Sequence, residues 1–373
     1  MVVSPRKGDL RAVREIRIAL KSSAYRYLLA GLDGWADLPC PELEGRGRGA
    51  VLVTDHTVRD LWSAEVLRAL GRRGIEPRVI SIPPGEPSKA LETYERVVRE
   101  TRDAGLLRDG LVLALGGGVV GDLAGFAAAT YMRGVDWISL PTTLLSMADS
   151  GVGGKVGLDC AGEKNLIGAF HHPSLVLCAV GFLDTLPDVE FANGMAEVVK
   201  VALLGDPDLF AILEERADRI RARERSLLEE IIERGVRVKA RIVERDPDER
   251  GDRRLLNLGH TIGHAIEAAG GYRRHRHGEA VAIGLVAACH LSTMLGVSDA
   301  AHRDRVTRLL QRYNLPIRCP ETSWNDLKPH IAIDKKGTAA GRACVLTGGV
   351  GVASVHERVP EASVQEAAAF VLA

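Results

Sequence analysis

The sequence is short of several features, and each shortage excludes a class of function. Aromatic residues make up 4% of the 373 residues, too few for the stacking platforms that hold single-stranded nucleic acid. The formal net charge is zero, which argues against a general polyanion binder. No run of 18 apolar residues occurs, so no membrane span is expected. We therefore predict a protein that binds neither nucleic acid nor membrane.

Cysteine is also sparse. Six cysteines are scattered along the chain without a C-x-x-C pair, a pattern that favours a reducing compartment over a disulfide framework or a zinc ribbon. The first ten residues are polar and charged, so no signal peptide is predicted. We expect a cytoplasmic protein, and its 46% hydrophobic and 26% charged residues are typical of a globular chain of two domains.

Lysine is rare among the basic residues, contributing only ten of the 49. Arginine fills ordinary surface positions, so a lysine more often marks a position that needs a compact ammonium group. Solvated surface charge is the usual explanation for any single lysine. Several of the ten lie in the motifs described below, which weakens that explanation.

Short apolar runs alternate with helical stretches between about residues 49 and 186. Strands are expected at 50–54, 77–82, 111–115 and 135–140, with helices at 58–73, 90–104 and 121–133. This alternation implies a mostly parallel sheet whose ligands gather at the carboxyl ends of its strands. Helical periodicity then dominates, apart from a small late hairpin. We predict an α/β domain over residues 1–187 and a mainly α-helical domain over residues 188–373.

A glycine-rich turn follows the most apolar strand. Leu111–Leu115 leads directly into three glycines, Gly116 to Gly118, with Gly121 and Asp122 just beyond. Such a turn lets the backbone approach a pyrophosphate, and the following helix N-terminus favours the anion. Ligand-free tight turns share this composition, and the spacing is not the usual G-x-G-x-x-G. A nucleotide site is nevertheless the favoured interpretation.

Three acidic or basic residues of the same half could serve that nucleotide. Asp55, at the end of the first strand, could contact ribose or adenine, or could simply cap a helix. Glu86 and Lys89 lie in a loop that could close over the cofactor, or they could form a surface ion pair.

Histidines and a carboxylate recur in the helical half. His260 and His264 are four residues apart and share a helical face, and His277 opens a later apolar helix. Upstream, Glu197 and Lys200 are three residues apart. A lone histidine is more often a core residue than a ligand, but several together shift that balance. One glutamate with two histidines suits catalytic Zn²⁺ or Co²⁺. The spacing does not decide which two of the three histidines bind the ion.

Cationic and amide side chains form a further set of candidates. They lie in glycine-rich segments of the first half and in the helical half: Lys155, Lys164, Asn165, Lys239, Arg253, Asn257 and the Lys335-Lys336 pair. A site that gathers so many donors should bind a doubly anionic substrate, such as a phosphate plus a carboxylate.

Four separated blocks, 116–133, 141–173, 190–200 and 253–279, together resemble the sugar phosphate cyclases, most closely the 3-dehydroquinate synthase family. The resemblance runs from about residue 50 to residue 346. It implies an NAD-binding N-terminal α/β domain, a metal-binding C-terminal helical domain, one Zn²⁺ or Co²⁺ ion and a homodimer. It also implies a shikimate-pathway lyase that converts 3-deoxy-D-arabino-heptulosonate 7-phosphate, a phosphorylated sugar acid, to 3-dehydroquinate and phosphate. The implied steps are transient oxidation by NAD, phosphate elimination, re-reduction and aldol closure.

The resemblance also assigns residues. It implies Glu197, His260 and His277 as the metal ligands and His264 as a phosphate contact and proton-transfer partner. The other implied substrate contacts are Arg133 from the neighbouring subunit, Asp149, Lys155, Lys164, Asn165, Lys200, Lys239, Arg253, Asn257 and Lys336. The implied NAD contacts are Asp55, Glu86, Lys89, Gly117, Gly118, Asp122, Thr142, Thr143, Lys164, Thr185 and Glu190.

Three alternatives stay open. A sibling cyclase acting on an aminated substrate would share the same anions, whereas siblings whose substrates lack the carboxylate would not need Lys239 and Arg253. A metal-dependent polyol dehydrogenase would release NADH and would not need Lys155, Asn165 and Lys336. A non-catalytic regulator built on an old enzyme scaffold would be expected to have damaged metal ligands.

Overall fold

The computed structural model describes residues 13–21, 23–44, 49–249, 251–333, 337–338 and 341–373. Lys336, one of the predicted substrate contacts, lies outside the described residues. The chain forms two compact units, Met1–Leu186 and Pro187–Ala373. The assignment of NAD binding to the first unit and metal binding to the second stays a prediction.

Apolar runs become the central strands of the first unit. Its strands are β1 (Arg14–Ala19), β2 (Ala24–Leu29), β3 (Ala50–Asp55), β4 (Arg78–Ile82), β5 (Leu111–Gly116), β6 (Asp136–Pro141), β7 (Lys155–Cys160), β8 (Glu163–Phe170) and β9 (Leu175–Cys178). Seven of them form one sheet in the order β1-β2-β9-β6-β5-β3-β4. Every neighbouring pair is parallel except β1 with β2. The predicted α/β fold with a mostly parallel sheet is confirmed.

Helices connect these strands. They are α1 (His56–Val58), α2 (Ala64–Gly71), α3 (Leu91–Asp103) and α4 (Gly118–Thr130), and a π-helical turn, Arg59–Ser63, joins the first two. Helix α4 begins at Gly118 rather than at the predicted residue 121. Glycine weakens a helix locally, but α4 buries Val120, Leu123 and Phe126 in the core of the unit, and this packing overrides the propensity.

The second unit is mainly helical. Its helices are α5 (Asp188–Gly205), α6 (Pro207–Glu215), α7 (Ala217–Arg221), α8 (Arg225–Arg245), α9 (His260–Ala269), α10 (His277–Met294), α11 (Ala300–Arg312), α12 (Trp324–Ile333) and α13 (Glu361–Leu372). Strands β10 (Gly337–Thr338), β11 (Gly341–Gly349) and β12 (Val352–Val359) form a small antiparallel sheet. Residues 209–244 show helical periodicity but are divided among three helices, α6, α7 and α8, and Arg223, with φ +60°, turns the chain between α7 and α8. No helix in the described part of the chain is long and apolar enough to cross a membrane.

Candidate functional site

Several predicted cofactor contacts of the first unit follow the carboxyl ends of neighbouring parallel strands. Asp55 ends β3, Gly117 follows β5 and Thr142 follows β6. These three strands are adjacent in the sheet, so their ends meet along one edge. The backbone N–H of Thr142 donates to the carbonyl of Gly116 at 3.0 Å, which holds the glycine turn beside Thr142 and Thr143.

The glycine turn borders open space. A Cβ at Gly117 would lie 3.0 Å from Thr143 Cγ2, but a Cβ at Gly121 would meet nothing within 4 Å. A cleft of about 330 Å³ is lined here by residues that include Gly117, Gly121, Asp122 and Lys155. Thr142 Oγ1 is buried and has no hydrogen-bond partner among the described residues. A helix N-terminus beside a cleft and an unsatisfied hydroxyl fit a pyrophosphate-bearing cofactor.

The buried ammonium group of Lys89 is surrounded by polar side chains of the same unit that are themselves less buried. Its Nζ lies 2.9 Å from Asp122, 3.6 Å from Glu86 and 3.7 Å from Asp159, and it also contacts Asn165 Oδ1. Burial lowers the pKa of Lys89, but Asp122 and Glu86 raise it by more, so the pKa lies above its usual value and the ammonium group stays charged. Lys89 and Glu86 thus form the ion pair of the alternative interpretation, but Lys89, which is 3% exposed, is buried rather than at the surface. The cluster brings three predicted cofactor contacts, Glu86, Lys89 and Asp122, together with the predicted phosphate contact Asn165.

Other predicted cofactor contacts have structural partners. Asp55 Oδ1 accepts the backbone N–H of Val58 at 3.0 Å and so caps α1. The hydroxyl of Thr185 accepts from Trp62 Nε1 at 2.9 Å. Glu190 belongs to the second unit, where it pairs with Arg276 Nε at 2.9 Å.

The predicted substrate contacts of the first unit differ in exposure. Arg133 is exposed in a turn with φ +66°, and Lys155 is exposed at the start of β7. Lys164 is partly buried, 3.7 Å from Glu86, and Asp149 lies in the π-helical turn Ser146–Ser150.

The second unit brings Glu197, His260 and His277 together from three helices, α5, α9 and α10. The Nε2 atoms of His260 and His277 lie 3.6 Å and 3.3 Å from Glu197 Oε1. One ligand atom from each of the three side chains lies within 4.8 Å of the others. The ring of His264 is next to that of His260, with centroids 4.8 Å apart.

Each of the two histidines is oriented by an acceptor behind it. Nδ1 of His277 lies 3.0 Å from Glu267 Oε2, and Nδ1 of His260 lies 3.1 Å from the carbonyl oxygen of Leu258. A carbonyl oxygen can only accept, so His260 Nδ1 carries the proton and its Nε2 lone pair faces Glu197. Metal-binding histidines are oriented in this way by outer partners.

Glu197 completes the arrangement. It is fully buried, and no described donor makes a well-aligned hydrogen bond to either of its oxygens, although Lys200 Nζ lies against Oε2. Lys200 thus neutralises the carboxylate at Oε2, while Oε1 faces two imidazole nitrogens at a distance that leaves room for a cation between them. These residues therefore fit a divalent ion.

Charge favours the same conclusion. Burial raises the pKa of Glu197, but Lys200 and His277 lower it to about 2. Burial, Lys200 and the neighbouring histidines hold the pKa of His260 well below its usual value. Glu197 is thus an anion and His260 is neutral, the forms that bind metal. For His277, burial lowers the pKa, but the nearby Glu197 and Glu267 carboxylates raise it to about 10, so this ring must release a proton before it binds a metal ion.

Two glycines allow the helices to approach this closely. A Cβ at Gly278 would lie 2.0 Å from the carbonyl oxygen of Asn193 in α5, and one at Gly284 would lie 1.9 Å from the carbonyl oxygen of Gly259, just before α9. The N–H of Gly278 also donates to Asn193 Oδ1 at 2.5 Å. Glycine at these positions lets α10 place His277 against Glu197.

A second grouping shares His277. His264, Glu267 and His277 also offer ligand atoms within 4.8 Å of one another. Here Glu267 already accepts from His277 Nδ1, and His264 is exposed, so the geometry favours the set with Glu197. Sequence reasoning missed the role of Glu267, although its position three residues after His264 places it on the same helical face.

The remaining predicted contacts of the second unit are the anion-binding candidates. Lys239 and Arg253 are 6% and 2% exposed, and Arg253 Nη1 donates to the carbonyl of Pro247 at 2.6 Å. Asn257 Nδ2 donates to Glu249 at 3.4 Å. Two buried cations are the arrangement expected for a bound anion.

The chain matches two family models in succession. One is described as 3-dehydroquinate synthase N-terminal, over residues 79–193, and the other as 3-dehydroquinate synthase C-terminal, over residues 194–337. The chain is 44% identical over 316 residues to the 3-dehydroquinate synthase of Geobacter metallireducens, which covers 85% of this chain and 88% of the relative.

Solved structures with the same fold bind a nucleotide cofactor and a metal. The 2-epi-5-epi-valiolone synthase from Streptomyces hygroscopicus subsp. jinggangensis, with NAD⁺ and Zn²⁺ bound, is 29% identical with a TM-score of 0.86, covering 95% of this chain and 98% of that one. A 2-deoxy-scyllo-inosose synthase complexed with carbaglucose-6-phosphate, NAD⁺ and Co²⁺ is 23% identical with a TM-score of 0.85, covering 96% and 100%. The second likeness shows the fold alone.

Proposed function

The chain belongs to the 3-dehydroquinate synthase family, and we propose that it converts 3-deoxy-D-arabino-heptulosonate 7-phosphate to 3-dehydroquinate and inorganic phosphate. The main structural support for this proposal is the buried Glu197, which faces the Nε2 atoms of His260 and His277. The reaction is that of a carbon–oxygen lyase acting on a phosphate ester.

Two cofactors follow from this function. The structurally similar valiolone synthase carries NAD⁺ and Zn²⁺, and the residues of this chain fit both. Glu197, His260 and His277 would hold the ion, and the turn at Gly117 and Gly118 would hold the NAD pyrophosphate. When bound, NAD supplies a hydride acceptor and donor, and the divalent ion polarises substrate oxygens as a Lewis acid.

The side chains of the second unit would bind and orient the substrate. Lys239 and Arg253 are buried cations, which suits the carboxylate of a sugar acid and argues against substrates that lack it. His264 and Asn257 would contact the phosphate, and His264 would also transfer a proton. Buried cations hold a dianion in one pose more strongly than exposed ones because water screens them less.

Location and assembly belong to the same proposal. All six cysteines are free thiols, which suits the cytoplasm. The proposal includes a homodimer in which Arg133, exposed on the turn after α4, would contact the substrate phosphate of the neighbouring subunit.

Turnover of the sugar acid tests this function. The purified chain would be incubated with NAD⁺, Zn²⁺ and the heptulosonate 7-phosphate, and phosphate and product would be measured by mass spectrometry. We expect one phosphate per 3-dehydroquinate and no net NADH. Net NADH would indicate a polyol dehydrogenase instead. No turnover by folded, metal-loaded protein would refute the substrate, and the aminated analogue would be tried next.

A further inference from the structure

Another group of side chains that could hold a metal ion lies in the second unit and includes none of Glu197, His260 and His277. His275, Cys319 and Glu321 each offer one ligand atom, all within 4.8 Å of one another. His275 lies between α9 and α10, and the other two lie between α11 and α12. The proposed reaction uses none of the three.

The geometry of this group distinguishes a metal site from a catalytic triad. His275 Nε2 lies 2.7 Å from Glu321 Oε1 and 3.4 Å from Cys319 Sγ. In a triad the nucleophile and the carboxylate contact different imidazole nitrogens. Here both contact the same nitrogen, which carries at most one hydrogen. A cation placed between the three side chains would let each contribute one ligand atom.

The spacing also suits zinc. With bonds of about 2.0–2.3 Å, the ligand atoms of a tetrahedral zinc site lie roughly 3.4–3.6 Å apart. The contact of His275 with Cys319, 3.4 Å, already matches this value. The contact with Glu321 is a hydrogen bond of 2.7 Å, which would lengthen when an ion replaces its proton.

The thiol of Cys319 is held in place by its surroundings, whereas the side of the group formed by Glu321 is open to solvent. Cys319 is fully buried, its N–H donates to the carbonyl of Val371 at 2.7 Å, and its Sγ lies 3.2 Å from Thr322 Oγ1. The side chain of Glu321 is 43% exposed. Water can therefore reach the position opposite the protein ligands.

We propose that His275 Nε2, Cys319 Sγ and a carboxylate oxygen of Glu321 bind a second divalent ion of the Zn²⁺ type, with water as the fourth ligand. Thiolate and imidazole select such ions over Mg²⁺ and Ca²⁺. Binding replaces the S–H bond of Cys319 by a sulfur–metal bond and releases that proton to solvent. A neutral His275 then carries its ring hydrogen on Nδ1 and binds through the Nε2 lone pair, so one proton is released and no oxidation state changes.

The proposed second ion would lie close in sequence to the start of α10. His275 lies two residues before the proposed ligand His277, and Cys319 is hydrogen-bonded to α13. An ion here ties the segment that precedes α10 to the segment that follows α11. We expect the second ion to stabilise the fold and to keep the start of α10 in place.

Cobalt tests the proposal without an activity assay. The Glu197 group contains no sulfur, so a thiolate-to-cobalt charge-transfer band can come only from a cysteine site. Metal-free full chain titrated with Co²⁺ should bind two ions per chain and develop this band. Cys319→Ala should abolish the band and reduce binding to one ion. Glu197→Ala should keep the band, as should Cys289→Ala, a matched control that removes another fully buried thiol.

A second pair of variants guards against misfolding of Cys319→Ala. Glu321→Gln changes an exposed side chain and should weaken the second ion at least about tenfold, since even outer partners of a metal contribute about 10–100-fold. His275→Gln should do the same. Binding of a single ion without the band, or a band that survives in Cys319→Ala, would overturn the proposal. Either result leaves the proposed reaction unaffected, because turnover is measured separately.

Discussion

Replacing Gly278 by alanine should separate the metal ligands without changing any of them. The new Cβ would lie 2.0 Å from the backbone oxygen of Asn193, and an ordinary contact begins at 3.4 Å. Helix α10 would have to recede from α5 by about 1.4 Å, because a backbone oxygen cannot rotate away. Metal–ligand distances tolerate only about 0.2 Å. Since His277 precedes Gly278 directly, it would move away from Glu197.

The expected losses are large enough to measure. Overpacking costs about 1–3 kcal/mol of the free energy of unfolding. Metal affinity should fall at least about tenfold, about 1.4 kcal/mol. The matched control is Gly235→Ala in α8, whose Cβ would meet only a methyl group of Val201 at 3.3 Å. Denaturant unfolding and chelator competition would be measured on both variants. If Gly278→Ala binds zinc as tightly as the control does, the close packing does not position the site.

Three further results are expected. Glu267→Gln should lower the affinity for zinc about 10–100-fold, measured by chelator competition, because the variant weakens the hydrogen-bond acceptor of His277 Nδ1. A complete loss of metal would instead indicate that Glu267 is itself a ligand. The pKa of His277 in the metal-free protein is raised to about 10, so zinc binding at pH 7.5 should release one proton, and the apparent zinc affinity should rise about tenfold for each unit that the pH increases. Calorimetry in buffers of different ionisation enthalpy would count the released proton. A count of zero would contradict the prediction. Asp122→Asn should lower the free energy of unfolding by about 1 kcal/mol at most, because burial raises the pKa of the Asp122 carboxyl and two other carboxylates remain within 3.7 Å of Lys89; a loss of about 3 kcal/mol or more in denaturant unfolding would contradict this.

The sequence predicts the parts of the fold that have a local pattern. The apolar runs at 50–54 and 111–115 become β3 and β5 within one residue, because strands buried on both faces are almost wholly apolar. The sequence does not predict β8, because five of its eight residues are exposed and it begins with a glutamate, a lysine and an asparagine that form no apolar run. β9 has only four residues, too few for a periodic signal.

The candidate site shows the same limit. Spacing places His260 and His264 on one helical face, but it cannot show that Glu197, 63 residues earlier, lies beside His260 rather than His264. That choice depends on the packing of α5, α9 and α10, which Gly278 and Gly284 permit. The grouping of His275 with Cys319 likewise depends on a contact across 44 residues, with no motif to announce it.

Zinc-edge anomalous scattering from crystals of the zinc-loaded chain would show directly which residues hold the ion. We expect a strong peak about 2.0–2.2 Å from Glu197, His260 Nε2 and His277 Nε2. A peak held by His264, Glu267 and His277 instead, or no peak near Glu197, would contradict it.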